Sequence, residues 1–194
     1  MKKILISLLL CLYAVSSFSQ FNVFARMFDI KEGKVKKIVI ETSGETLLFD
    51  REGRLTSNSM GTDEIRYSWN GNKITVAAFQ NGKKLGEDQM TVLKNTVREI
   101  SISLPGGTIT ETYNANGRLE KTALSSNEGS IIETYFYHSE SDKYPYKYTS
   151  LINGHVETVE IHNVQYDAKG NWIKQTLKSN GESETEIRTI TYYN

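Results

Sequence analysis

Few side chains in this chain have the means to do chemistry, and they are scattered. Histidine occurs at His138, His155 and His162. If 154–166 is one strand, His155 and His162 point to opposite faces, and Glu160 joins only the second. Two ligands fall short of the three or four that a metal site needs. The sole cysteine is Cys11, and no Gly-x-Ser-x-Gly elbow is present. Glu182, Glu184 and Glu186 alternate and share a face, but Lys174 and Lys178 can pair with them as a solvated ladder. The sequence therefore predicts a protein that is not an enzyme, with no catalytic residue, no metal and no cofactor. The feature above background is aromatic: nine of eleven tyrosines fall between Tyr113 and Tyr193. Tyr144, Tyr146 and Tyr148 alternate, so on one strand their rings share a face, with Lys143 and Lys147 opposite. Such a row, with Trp172 as a further ring, is the expected ligand-binding surface, suited to stacking of sugar rings with hydroxyls at hand. The competing expectation is that these rings pack over neighbouring hairpins.

The elements that must carry those rings are strands. All fourteen glycines lie beyond residue 32, mostly eight to twelve residues apart, with runs rich in Val, Ile, Thr, Tyr and Phe between them. Turn signals at that spacing indicate antiparallel strands joined tightly. Only Pro105 and Pro145 interrupt pairing. Residues 21–30 fit either a short helix or a first strand. One hairpin can be registered in advance, across Ser179-Asn180-Gly181. A two-residue turn would pair Leu177 with Glu184 and Lys174 with Ile187. A three-residue loop with Gly181 left-handed pairs Lys178 with Glu182, Lys174 with Glu186 and Ile173 with Ile187, and sets Trp172 opposite Arg188. Opposite charges across strands favour the second, so the three-residue loop is expected, with one wet face and one drier.

Three segments repeat one another: FDREGRL at 49–55, YNANGRL at 113–119 and YDAKGNW at 166–172. Each ends a strand on an aromatic and turns on Asp or Asn. Glycine then takes a left-handed position, and a large apolar residue opens the return strand. Residues 113–119 resemble the YD repeat of RHS-type bacterial surface proteins, Y-D-x-x-G-R-L. Residues 166–172 are similar to a turn of small secreted proteins of Bacteroidota. The resemblance covers the chain from about residue 30, with irregular spacing and too few copies for a large toxin-enclosing shell. It implies stacked hairpins at the cell envelope and carries over no catalytic residue.

Composition bounds the role. Of 194 residues, 38% are hydrophobic, and Lys+Arg and Asp+Glu are equal at 23, which argues against a nucleic-acid partner. Lys2 and Lys3, the apolar run 4–15 and small residues at Ser16, Ser17 and Ser19 form a secretory signal peptide over 1–19. Cleavage after Ser16 is the alternative. Leucines before Cys11 do not make a lipobox. Removing Lys2 and Lys3 leaves 21 basic against 23 acidic side chains, and no later run is long enough for a transmembrane segment. The expected architecture is all-β: one domain over 20–194, an antiparallel meander of repeated β-hairpins forming an extended or curled sheet. The expected role is an exported, non-catalytic envelope protein in the periplasm, on the outer surface or secreted. It would bind a glycan or a surface protein, the latter also by strand addition at an exposed sheet edge. The alternative is a periplasmic carrier whose curled sheet cups a lipid or other apolar ligand.

Overall fold

The computed structural model describes residues 33–194 apart from 97 and 128. The expected signal peptide with its cleavage point, Cys11 and the open reading of 21–30 lie outside the described residues. The rest is strand and turn. The first six strands are β1 (Val35–Ile40), β2 (Glu45–Phe49), β3 (Leu55–Met60), β4 (Asp63–Asn70), β5 (Lys73–Gln80) and β6 (Lys83–Asn95). Then come β7 (Glu99–Leu104), β8 (Gly107–Tyr113), β9 (Leu119–Ser126) and β10 (Gly129–Phe136). The last four are β11 (Lys147–Ile152), β12 (His155–Tyr166), β13 (Trp172–Ser179) and β14 (Glu182–Tyr192). Each strand pairs antiparallel with the next along the chain.

The meander is as expected, but the sheet is neither extended nor merely curled. β1 pairs with β14, Ile38 opposite Ile190 and Ile40 opposite Arg188, and a fourteen-strand barrel closes. Tyr193 N donates to Lys34 O at 2.8 Å across the seam. The cause is the right-handed twist that each tight hairpin adds, which brings distant edges together so that the last unpaired backbone groups satisfy one another. Two-residue turns with left-handed backbones at Asn81-Gly82, Asn153-Gly154 and Asn180-Gly181 supply that twist, with φ of 50° and 74°, 49° and 90°, 51° and 84°. These turns share one rim of the barrel, while the three YD-like turns lie at the opposite rim.

Asn180-Gly181 also corrects the register. The structure pairs Lys174 with Ile187, Leu177 with Glu184 and Ser179 with Glu182, the two-residue alternative. Lys174 and Lys178 therefore face outward while Glu184 and Glu186 face inward. Cross-strand charge was the wrong criterion, because the inner face there is itself polar. Glu186 accepts a hydrogen bond from Gln175 Nε2 at 2.6 Å, and Glu157 accepts one from Ser179 Oγ at 2.6 Å. Arg188 and Trp172 do meet, the guanidinium 3.7 Å from the ring.

The interior is graded. Ile38, Leu47, Phe49, Ile74, Met90, Ile102, Tyr113 and Leu119 form part of a packed apolar core. Polar side chains among it are partnered: Asn58 Nδ2 donates to Glu45 at 2.7 Å, Tyr113 Oη donates to Glu111, and Tyr135 Oη donates to Glu133 at 2.5 Å. Burial pushes the Glu45 and Glu186 carboxyls above the usual range, partly offset by their amide donors. The outer wall carries exposed Arg66, Lys73, Lys84, Glu87, Lys94, Lys121, Glu160 and Lys178. Leu48, Leu151 and Val156 are exposed beside them, so the wall mixes charged and apolar side chains.

Candidate functional site

The three YD-like turns have one construction. Asp50, Asn114 and Asp167 each accept two backbone N–H bonds on one side-chain oxygen, from the second and fourth residues onward, at 2.9–3.1 Å. Gly53, Gly117 and Gly170 follow at φ of 76°, 74° and 77°, and each donates its N–H to the carbonyl of its Asp or Asn. The two aspartates also use their second oxygen: Arg54 Nε donates to Asp50 at 2.8 Å, and Tyr192 Oη donates to Asp167. Burial and that carboxylate raise the Tyr192 hydroxyl to about 12.

Between two of these turns the rim is built differently. β10 and β11 are joined by residues 137–146 rather than by a tight turn, and Tyr146 N donates to Phe136 O at 3.0 Å across its neck. Asp142 ties the segment internally by accepting from Ser139 Oγ at 2.8 Å and Ser139 N at 2.9 Å. Those two bonds hold its carboxyl below the usual range. The 114–118 turn anchors one side: Arg118 Nη1 donates to Ser139 O at 2.5 Å, and its guanidinium lies 4.5 Å from the Tyr137 ring. The 167–171 turn anchors the other, where Tyr144 Oη donates to Gly170 O at 2.6 Å.

β12 bends away below this segment. Its pairing with β11 ends at Glu160 opposite Lys147, followed by one further bond from Ile161 N to Tyr146 O at 2.8 Å. A register slip between His162 and Gln165, with Asn163 left-handed at φ 52°, forms a bulge that redirects the strand along β13. The divergence opens a cleft of about 490 Å³. His138, Tyr144 and Tyr146 line one side, Ile161, Val164 and Tyr166 the other, with Asp142 and Lys143 also at its border. The Tyr146 ring stacks on His138 at 3.8 Å, and the Tyr144 ring tilts against Tyr166 at 5.0 Å. Ring faces, hydroxyls and an ammonium together can hold a ligand by stacking and hydrogen bonding.

The structure redistributes the expected aromatic row. Tyr144 and Tyr146 precede β11 rather than lying in it, so the three alternating rings do not share a strand face. Tyr148 turns inward, its ring 5.6 Å from Tyr135, and burial raises its hydroxyl beyond the ordinary tyrosine range, with Glu133, Glu186 and Glu157 adding to the effect. Trp172 is buried, with Arg188 Nε donating to its carbonyl at 2.6 Å. The cleft thus joins Tyr144 and Tyr146 with His138, Val164 and Tyr166, which periodicity did not single out. The available signal was the glycine-free interval from Gly129 to Gly154, too long for a tight turn. His155 and His162 do fall on opposite faces, and His162 Nε2 sits 3.0 Å from Glu160. Among the described residues no three His, Cys, Asp or Glu side chains are grouped to hold a metal ion.

No family model matches this chain, and no curated protein does. Among solved structures, a porin-like protein from Bacteroides vulgatus is similar at a TM-score of 0.45 and 14% identity, over 82% of this chain and 99% of that one.

Proposed function

We propose that this is an exported, non-catalytic envelope protein that works as an interaction module, binding its partner in the aromatic cleft between residues 137–146 and β12. The export signal at 1–19 and the YD-type repeats motivate the envelope assignment. One observation carries the choice of site: the β12 bulge and the anchored 137–146 segment bring His138, Tyr144, Tyr146 and Tyr166 around one cleft. Connecting segments held on a rigid scaffold are where proteins commonly place recognition. The alternative, a periplasmic carrier of an apolar ligand, would instead need an apolar cavity inside the sheet.

The test is a binding screen of the purified 20–194 chain against glycan arrays and envelope extracts, followed by Tyr144→Ala/Tyr146→Ala. Binding is expected to weaken about tenfold or more, since each ring contributes roughly 1 kcal/mol or above in a stacked contact. Tyr148→Ala is the contrasting variant. It is expected to lower the melting temperature by opening the barrel interior. Equal binding by wild type and the cleft double variant would remove the cleft from the function.

A further inference from the structure

The cleft has one wall made of backbone. β12 is paired on both sides only where its partners overlap. β11 accompanies it over 155–160, and β13 over 160–166. From 162 to 166 no strand among the described residues lies along the β11 side, and the 137–146 segment stands off across the cleft. Elsewhere long strands switch partners in the same way. β6 pairs with β5 up to Thr91 and with β7 from Thr91 onward, and β14 pairs with β13 up to Ile187 and with β1 from Arg188. The stretches these leave at the other rim are guarded by charge: Lys83, Lys84, Glu87 and Asp88 on β6, and Glu182, Glu184 and Glu186 on β14. Charged side chains are how edge strands repel unwanted pairing. The stretch His162-Asn163-Val164-Gln165-Tyr166 has no lysine, arginine, aspartate or glutamate; its Val164 and Tyr166 border the cleft with Tyr144, Pro145 and Tyr146, and Asn163, Gln165 and Tyr166 are exposed.

We infer that the occupant of the cleft is an extended polypeptide segment of a partner protein, which adds as a strand to the β12 edge over 162–166. This rests on the cleft being the binding site and names the chemistry it recognises. An edge of N–H and C=O groups is complementary to another main chain, and alternate side chains of the added strand would fall toward Tyr144 and Tyr146. Five residues of edge measure about 16 Å at roughly 3.3 Å per residue, so the segment is short. Asn163, left-handed at φ 52°, sits in the bulge of this edge.

The probe is a phage-displayed library of unstructured twelve-residue peptides selected on the full 20–194 protein. A selected peptide is then resynthesised with N-methyl groups on one or the other alternate set of amides. Strand addition makes the two sets unequal: methylating the set that faces β12 weakens binding by about tenfold or more, at roughly 1 kcal/mol per lost hydrogen bond, while the other set is tolerated. Bound peptide should also slow amide hydrogen exchange within 162–166. Val164→Lys, placing on this edge the charge the other two carry, should abolish binding with the melting transition retained. The methylation and exchange results do not depend on that variant folding. Equal effects of the two methylated sets, unchanged exchange at 162–166, or no peptide selected at all overturns the inference. If a glycan binds instead and Tyr144→Ala weakens it, strand addition fails and the cleft stands. If no glycan or envelope ligand responds to cleft substitutions either, both fail.

Discussion

Asp50, Asn114 and Asp167 show how much one side-chain oxygen can fix. Each satisfies two backbone donors that would otherwise be left at the rim, and so sets where the chain reverses. Both turn bonds go to one acceptor oxygen, and the Arg54 ion pair on the other oxygen is partly exposed, so Asp50→Asn should keep most of the stability, while Asp50→Ala should lose about 1–3 kcal/mol. Asp167→Ala should cost more than Asn114→Ala, since it also strands the Tyr192 hydroxyl. Urea midpoints of the four variants check this order, and an equal loss at Asp50→Asn and Asp50→Ala would contradict it. These turns were legible in the sequence because all their partners lie within four residues. Trp172 and Tyr148 were not, since what hides them is Arg188, sixteen residues onward, and Tyr135 on another strand.

At the scale of an element, the β13–β14 hairpin shows which local rule prevails. Its turn and its charges favoured different registers, and the turn prevailed, because two left-handed residues matching strand twist decide pairing for the whole hairpin. Lys174 and Glu186 then lie on opposite faces. Reversing both charges should damage stability by the sum of the single reversals, with no rescue. The coupled pair is Gln175 with Glu186, for which a double-mutant cycle should return about 1–2 kcal/mol. A coupling near zero there, or rescue at Lys174 and Glu186, would reinstate the three-residue loop. The β12 bulge was beyond reach of pattern reading for a similar reason. Asn163 carries no mark in the sequence that separates it from a strand residue, and its effect depends on where β11 stops.

For the whole molecule, closure and the buried carboxylates are connected. Burial raises Glu45 and Glu186 in the folded barrel above their unfolded values. The folded state therefore holds their protons more tightly. That share of stability is complete below the unfolded value of about 4.5 and is lost as pH rises through the raised one. Glu64 and Asp142 shift the other way, Glu64 through its Arg66 bond and Asp142 through Ser139, but both lie near the surface, where solvent screening limits their weight. Against a Glu45→Gln/Glu186→Gln variant, the wild type should lose stability between about pH 4 and pH 7. Urea melts of both proteins at each end of that range decide it, and parallel profiles would exclude the effect. Strand content and alternation were readable from residues 33–194, but closure was not, because the pairing of β1 with β14 joins segments about 150 residues apart and leaves no local trace.

The number of strands is even, and this has a practical side. An up-and-down ring with an even count must bring its first and last strands to the same rim. Here that rim holds Gly33 against Tyr192 and Lys169, one residue from the Gly170 that borders the cleft. An affinity tag or a bead linkage at either end of the barrel would crowd the mouth where a partner arrives. Attachment through the far rim, at Ser43 or Asn81, leaves that mouth facing the solution.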